Sequence, residues 1–348
     1  MFRFPIFLIF VLASILISCG GDSTTESTRR VNVYGWINYF PPEMLQQFTK
    51  DTGIEVVLDT YASNEELMEK LSARVSDYDV VNPSDYILAA LIEGKLLEPL
   101  DHAQLHHLNN TNERFRNSHF DPGSRYSVPF LLSFAGIGYD RTKVTEPVDS
   151  WGILWNPKYK NHILMLDDPM DSFAVALKWM GYSVNTQNRD ELEAARDALL
   201  KQKPLVKVYN STNFDEILAS GDVWLAHGWN GDIAKIMTRY PNLAFAIPKE
   251  GCALSVDYLV IPRDAPHKRE AHAFINYCLS AQVGASITNF NSFSTTNEAA
   301  KPFIRPDLMK NPAVFPDIEI MKRFENVITP TGETAKLRDR FWTEIKSR

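Results

Sequence analysis

Cysteine is nearly absent, with three in 348 residues. So few cannot build a disulfide scaffold, and a chain this long needs none to form a core. Basic charge is in deficit, with 36 Lys and Arg against 43 Asp and Glu and a net charge of −7. A broad nucleic-acid-binding surface needs a basic stripe, which this balance does not favour. An acidic total leaves membrane attachment open, because one lipid or one helix can anchor an acidic protein. Nucleotide and hydrolase signatures are also missing. There is no G-x-x-x-x-G-K-[ST], and Gly136-Ile137-Gly138 is followed by Arg141 where a dinucleotide fingerprint requires Gly. There is neither H-E-x-x-H nor G-x-S-x-G. What remains is a globular composition, 45% hydrophobic and 11% aromatic, of a length that suits two domains better than one.

The first residues are set apart from the rest. Arg3 is the only charged side chain before Asp22, and Phe4 to Ile17 is almost wholly apolar. A charged n-region followed by an apolar h-region reads as an export signal, and the run is short for a stable span. Its end, Leu16-Ile17-Ser18-Cys19-Gly20, resembles the bacterial lipobox. That resemblance implies a signal peptide over 1–18, cleavage before Cys19 and lipidation of its sulfur. Residues 19–30 then form a polar, Ser/Thr-rich tether. Cys252 and Cys278 would be the remaining cysteines, and whether they pair is left open by the sequence.

From Val31 the pattern alternates. A strand at Val31–Tyr34 stops at Gly35, and a helix opens at Pro41-Pro42 and ends at Gly53. A strand follows at Ile54–Leu58, then a helix capped by Asn64. A strand at Asp79–Val81 leads to a helix from Tyr86 to Glu93. This is the α/β pattern of a parallel sheet. After a polar stretch, strands are expected at Tyr126–Pro129 and Gly136–Tyr139, and a second α/β set runs from Ile163 to Ile247. Tyr258–Ile261 reads as a strand, His267–Leu279 as a helix, and the chain from about Pro302 as mostly helical. Two α/β sets with no long Gly/Ser linker imply two lobes joined by strands, with a small-molecule cleft between them.

Three groups of residues carry possible chemistry. His102 and His106 share the four-residue spacing of metal ligands on one helix face, but a polar, exposed helix end explains them as well. Asp167, Asp168 and Asp171 follow the strand Ile163–Leu166, at the strand end that faces the ligand crevice in open α/β sheets. They fit either acid–base work, which would make the protein an enzyme, or the N-cap of the helix starting near Ser172. Aromatic and acidic residues also recur at strand ends: Trp36 and Tyr39, Ser84 and Tyr86, Trp229 and Asp232, and Asp257. A cleft with acids set between aromatic faces suits an organic cation. A buried ammonium needs a carboxylate within hydrogen-bond reach, and tryptophan or tyrosine supplies apolar walls and about 0.5–2 kcal/mol of cation–π attraction.

Longer stretches are recognisable. Val33-Tyr34-Gly35-Trp36-Ile37-Asn38-Tyr39-Phe40-Pro41-Pro42 and Gln47-Phe48-Thr49-Lys50-Asp51-Thr52-Gly53-Ile54-Glu55-Val56 resemble the opening of the spermidine/putrescine-binding proteins of ABC transporters. Ser63-Asn64-Glu65, Tyr78 to Ser84, Trp229-Asn230-Gly231 and Ile247 to Gly251 continue the likeness in order, from about Val31 to about Phe341. The resemblance implies a type II periplasmic-binding-protein fold, α/β, with two lobes joined by two crossover segments. The lobes are expected at 31–135 plus 259–296 and at 138–256 plus 299–348. It also implies a polyamine ligand, permease partners, a monomer on the envelope side of a bacterial membrane, and neither cofactor nor catalytic or metal site.

Carried over residue by residue, the family's ligand contacts fall on Trp36, Tyr39, Ser84, Tyr86, Asp168, Asp171, Trp229, Asp232 and Asp257. Three positions depart from the pattern. Ser255 stands where an aromatic is expected, Phe293 where a late tyrosine is expected, and Glu325 where another polar contact is expected. These departures leave open the choice between putrescine, spermidine and another amine. A different small molecule on the same fold is the alternative binding reading.

Overall fold

The computed structural model describes residues 29–61, 63–73 and 77–348. The export signal, Cys19 and nearly all of the tether lie outside the described residues.

The first lobe is built on strands β1 (Arg30–Trp36), β2 (Glu55–Tyr61) and β3 (Val80–Val81), with helices α1 (Pro42–Thr52), α2 (Asn64–Ala73) and α3 (Asp85–Glu93) between and after them. β1 is parallel to both β2 and β3. Five consecutive residues of β1 are buried, as expected for a strand covered on both faces. Gly35 does not stop β1. The strand runs on to Trp36 in register with Tyr61, and the Phe40 ring packs against the Gly35 backbone, where a Cβ would lie 2.9 Å from it. Pro42 starts α1, and Gly53 ends it in the left-handed conformation, φ 69°. The α2 cap is not Asn64 but Ser63, whose Oγ accepts from the Glu66 amide at 3.2 Å. The Asn64 side chain is turned the other way, accepting from the Ser84 amide at 3.3 Å.

A short helix α4 (Glu113–Arg116) and a two-stranded ribbon, β4 (Asn117–Ser118) and β5 (Asp121–Pro122), precede β6 (Ser127–Asp140). The sequence suggests two strands here, but the structure has one of 14 residues. Almost all of it is buried, so the backbone has no solvated stretch at which to break.

The second lobe follows with β7 (Ile163–Met165), α5 (Pro169–Trp179), α6 (Arg189–Gln202), β8 (Val206–Tyr209), α7 (Phe214–Ala219), β9 (Leu225–Trp229), α8 (Asn230–Met237) and β10 (Leu243–Ala246). The chain returns through β11 (Ala253–Val260) to α9 (Lys268–Cys278), α10 (Ala281–Asn291) and β12 (Ser294–Thr295). It closes with α11 (Pro306–Met309), α12 (Ile318–Met321), β13 (Glu325–Asn326) and α13 (Gly332–Ser347).

The strand order is β2-β1-β3-β11-β6-β9-β7-β8, so β6 belongs to both halves. Its first part pairs with β11 and its second with β9 and β10. β6 is one crossover, and the segment leading into β11 is the other. The expected lobe limits put Leu254 and Val256 on one side and their ladder partners Phe134 and Leu132 on the other. β6 and β11 pair with each other, so these residues share one stretch of sheet.

Separate cores cover the sheet. Phe48, Phe130 and Phe274 lie among α1, α9 and the sheet, and Leu67, Leu88 and Val260 on the opposite face. In the second lobe, Trp151 and Ile163 pack on one face and Leu164 and Ile233 on the other. Cys252 and Cys278 are both free and buried, in different cores. His102 lies in a 3-10 turn of three residues, and its Nε2 is 2.8 Å from the Ser124 carbonyl, so the four-residue spacing to His106 is not a helix face. Among the described residues, no helix is long and apolar enough to cross a membrane.

Candidate ligand-binding site

The carboxyl ends of the parallel strands in both halves face one cavity of about 250 Å³. Trp36 ends β1 and Trp229 ends β9, while Ser84 follows β3 and Asp168 follows β7. Strand ends place these side chains because the backbone there leaves the ladder before each helix begins.

Asp257, on β11, is buried, 1% exposed. The β6–β11 register shifts between Asp257 and Tyr258, a local irregularity beside the buried acid. Both carboxylate oxygens accept hydroxyls: Tyr39 Oη at 2.6 Å and Ser84 Oγ at 2.6 Å. Tyr39 reaches it because Asn38 takes a left-handed conformation, φ 62°, after β1, and Asn291 Nδ2 holds the Tyr39 carbonyl at 3.1 Å. Burial pushes the Asp257 carboxyl up to about 6, against the opposing pull of the two hydroxyls. The same burial, with Asp257 beside it, raises the Tyr39 phenol, so Tyr39 stays a donor.

At the other wall, Asp168 caps α5 by accepting from the Asp171 amide at 3.0 Å. Trp229 Nε1 donates to Asp171 Oδ2 at 3.1 Å. Burial first, and Asp168 second, push Asp171 up to about 8. Asp168 is raised too, chiefly by burial. Asp167 is more exposed and pairs with Lys346 at 2.7 Å. The helix-cap reading of this acid triplet therefore holds for Asp168, while Asp171 is aimed into the cavity's tryptophan. Asp232, in the first turn of α8, is pushed up to about 7 by burial and then by Asp215.

Ten of the eleven expected contact positions lie on this cavity: Trp36, Tyr39, Ser84, Tyr86, Asp168, Asp171, Trp229, Asp232, Asp257 and Phe293. Phe293 packs against Tyr39, ring centroids 5.3 Å apart, and over Gly231, where a Cβ would meet its ring at 2.5 Å. Glu325 does not line the cavity. Its carboxylate is taken by Lys178 Nζ at 2.8 Å and Ser183 Oγ at 2.5 Å, and these partners hold it below the usual carboxylate range despite burial. Sequence reasoning missed Tyr61, whose ring tilts against Trp36 at 4.5 Å, together with Glu65 and Asp215. Tyr61 could have been found from its place beside Trp36 at the end of a parallel strand pair. Nothing local marks Asp215.

Seven carboxylates line the cavity, those of Glu65, Asp167, Asp168, Asp171, Asp215, Asp232 and Asp257, with no lysine, arginine or histidine among the described residues that line it. Trp36, Tyr86, Phe214 and Trp229 contribute aromatic surface.

Residues 43–316 match the family model described as bacterial extracellular solute-binding protein. The chain belongs to this family. It is 34% identical to the putrescine-binding periplasmic protein SpuD of Pseudomonas aeruginosa over 95% of each chain. It is 30% identical to the putrescine-binding periplasmic protein PotF of Escherichia coli, over 97% of this chain and 96% of that one. The fold matches the crystal structure of the Tp0655 (TpPotD) lipoprotein of Treponema pallidum with a TM-score of 0.84 and 28% identity, covering 92% of this chain and 100% of the other. The architecture is therefore the two-lobed periplasmic-binding-protein fold, with the cavity in its cleft.

Proposed function

We propose that this chain is the substrate-binding component of a polyamine ABC importer. In this reading it is held by a lipid on Cys19 at the envelope side of a bacterial membrane, and as a monomer it delivers putrescine or spermidine to a permease. The single observation that carries the reading is the cavity wall, seven carboxylates and aromatic rings with no cationic side chain among the described lining residues. Asp167 has Lys346 for a partner, but buried carboxylates such as Asp257 and Asp171, which are held only by neutral donors, are costly, and a polycation entering the cleft supplies the missing charge. The relatives named for putrescine support the choice of ligand.

Binding follows from the geometry without covalent chemistry. A terminal ammonium sits against Asp257, already oriented by Tyr39 and Ser84. Asp168, Asp171 and Asp232 face the remaining charge, and Trp36 and Trp229 flank the methylenes. Residues from both lobes meet the ligand only when the cleft is shut, so binding favours the closed state.

Calorimetric titration of the chain from residue 20 onward tests this. Putrescine or spermidine is expected to bind and to be recovered unchanged, and ligand at 100 times its Kd should stabilise the fold by about 2.7 kcal/mol. No response to putrescine, spermidine or spermine refutes the polyamine reading. Mass spectrometry of ligand that co-purifies separates it from another small molecule on the same fold.

A further inference from the structure

Lys346 lies in the last turn of α13 and is not among the residues that line the cavity. Its Nζ nevertheless donates to Oδ1 of Asp167, a lining residue, at 2.7 Å. The lysine is held in that place. Its ammonium stands over the Tyr209 ring at 4.7 Å and the Trp342 ring at 5.6 Å. Lys203 Nζ donates to the Ile345 carbonyl at 2.6 Å and to the Lys346 carbonyl at 3.0 Å, which fastens the end of the helix.

Asp167 differs from the buried acids of the cleft. Its side chain is 43% exposed, whereas Asp257 is 1% exposed. An acid that lines the cavity and also meets solvent stands at the cavity's mouth. Its charge still reaches inward. Burial chiefly raises the Asp168 carboxyl, and Glu65 and then Asp167 add to that rise. An exposed ion pair adds little to stability, because water already solvates both charges. The consequence of this one is for the ligand. Asp167 is neutralised by a lysine that two aromatic rings also hold, so an ammonium arriving at the mouth meets a paired acid and a charge of its own sign.

We infer that Lys346 is a specificity-determining residue that withholds Asp167 from the ligand and so disfavours amines long enough to carry an ammonium to the mouth of the cavity. The inference rests on the polyamine reading above. A short diamine with one ammonium on Asp257 places its other ammonium among the buried acids and leaves the mouth alone. A tetra-amine is much longer and carries further ammonium groups toward solvent. The outer one must displace Lys346 from Asp167 or stop beside it. Removing the lysine charge frees the acid and ends the repulsion together. Lys346 acts through Asp167 and touches no ligand in either case.

The test is calorimetric titration of putrescine, spermidine and spermine into the chain from residue 20 onward, as wild type and as variants. Lys346→Met keeps an apolar stem against Tyr209 and Trp342 and removes the charge. It should tighten spermine about five-fold at low ionic strength and putrescine less than about two-fold. The gain should shrink as salt is added, which a purely structural effect would not do. Lys346→Arg keeps the charge and should restore the wild-type ratio of the amines. Asp167→Asn leaves the lysine unopposed and should move that ratio the other way, weakening spermine more than putrescine. It decides the matter by itself if Lys346→Met fails to fold. Equal changes for all three amines, or none, overturn the inference and leave the polyamine reading intact. A wild-type chain that binds none of the three overturns both.

Discussion

Trp229 donates its indole N–H to the Asp171 carboxylate across 3.1 Å, tying the end of β9 to the first turn of α5. One residue thereby gives the cleft an aromatic wall and keeps an acid in place. Trp229→Phe retains the ring and removes the donor. Hydrogen bonds to charged groups contribute about 1.5–3 kcal/mol. Polyamine affinity is expected to fall roughly ten-fold at pH 7, and less at pH 9, where Asp171 ionises even without its donor. Calorimetry at the two pH values checks it.

Asp257 and Asp101 differ in burial, not in chemistry. Asp257 is buried and grips two hydroxyls, whereas Asp101 is exposed and caps a 3-10 turn. Asp257→Asn should weaken binding by 100-fold or more, in keeping with about 2–5 kcal/mol for truncating one partner of a buried charge pair. Asp101→Asn should leave affinity within two-fold. Equal effects in the two titrations mean the ammonium sits elsewhere.

The raised carboxyls set a pH dependence of definite sign. Asp257, Asp232 and Asp171 stand near 6, 7 and 8 in the folded, ligand-free protein, above their unfolded values. The folded state keeps protons that the unfolded chain has lost, so ligand-free stability falls as pH rises from about 4 to about 8 and then levels. A cation favours the ionised acids, so affinity should rise over pH 6 to 8 and binding should release protons. Melting temperatures with and without spermidine, and titrations in buffers of different ionisation enthalpy, measure both.

Gly231→Ala should disturb the site from behind. The added methyl meets the Phe293 ring, and Phe293 packs against Tyr39, which holds Asp257. Overpacking of this kind costs about 1–3 kcal/mol. A lower melting temperature together with weaker polyamine binding is the expected result.

Much of the fold was legible because it is written in short-range signals. Pro42 and Gly53 bound α1 through φ preferences, and the cap expected within the Asp167, Asp168 and Asp171 group falls on Asp168, although α5 starts at Pro169 and not near Ser172. The site was legible where aromatic and acidic residues end strands. It was less so where a side chain's partner is distant in the chain. Glu325 looked free to meet a ligand, yet Lys178, 147 positions away, had claimed it. Asn64 looked like a cap, yet it serves Ser84 across the sheet edge. Lys346 carried no signal, because its role rests on Asp167, 179 residues away.

The sequence by itself determined the alternation of strands and helices, the acids and aromatics at their junctions, and the family likeness, since each depends on local pattern and residue type. Only the tertiary structure decided that β6 is one strand shared by both lobes and that seven carboxylates meet in one cavity whose described lining has no basic side chain. It also decided which acids are already spoken for. Burial and pairing are properties of contacts between distant segments, and they turn an ordinary aspartate into either a surface charge or a cation's partner.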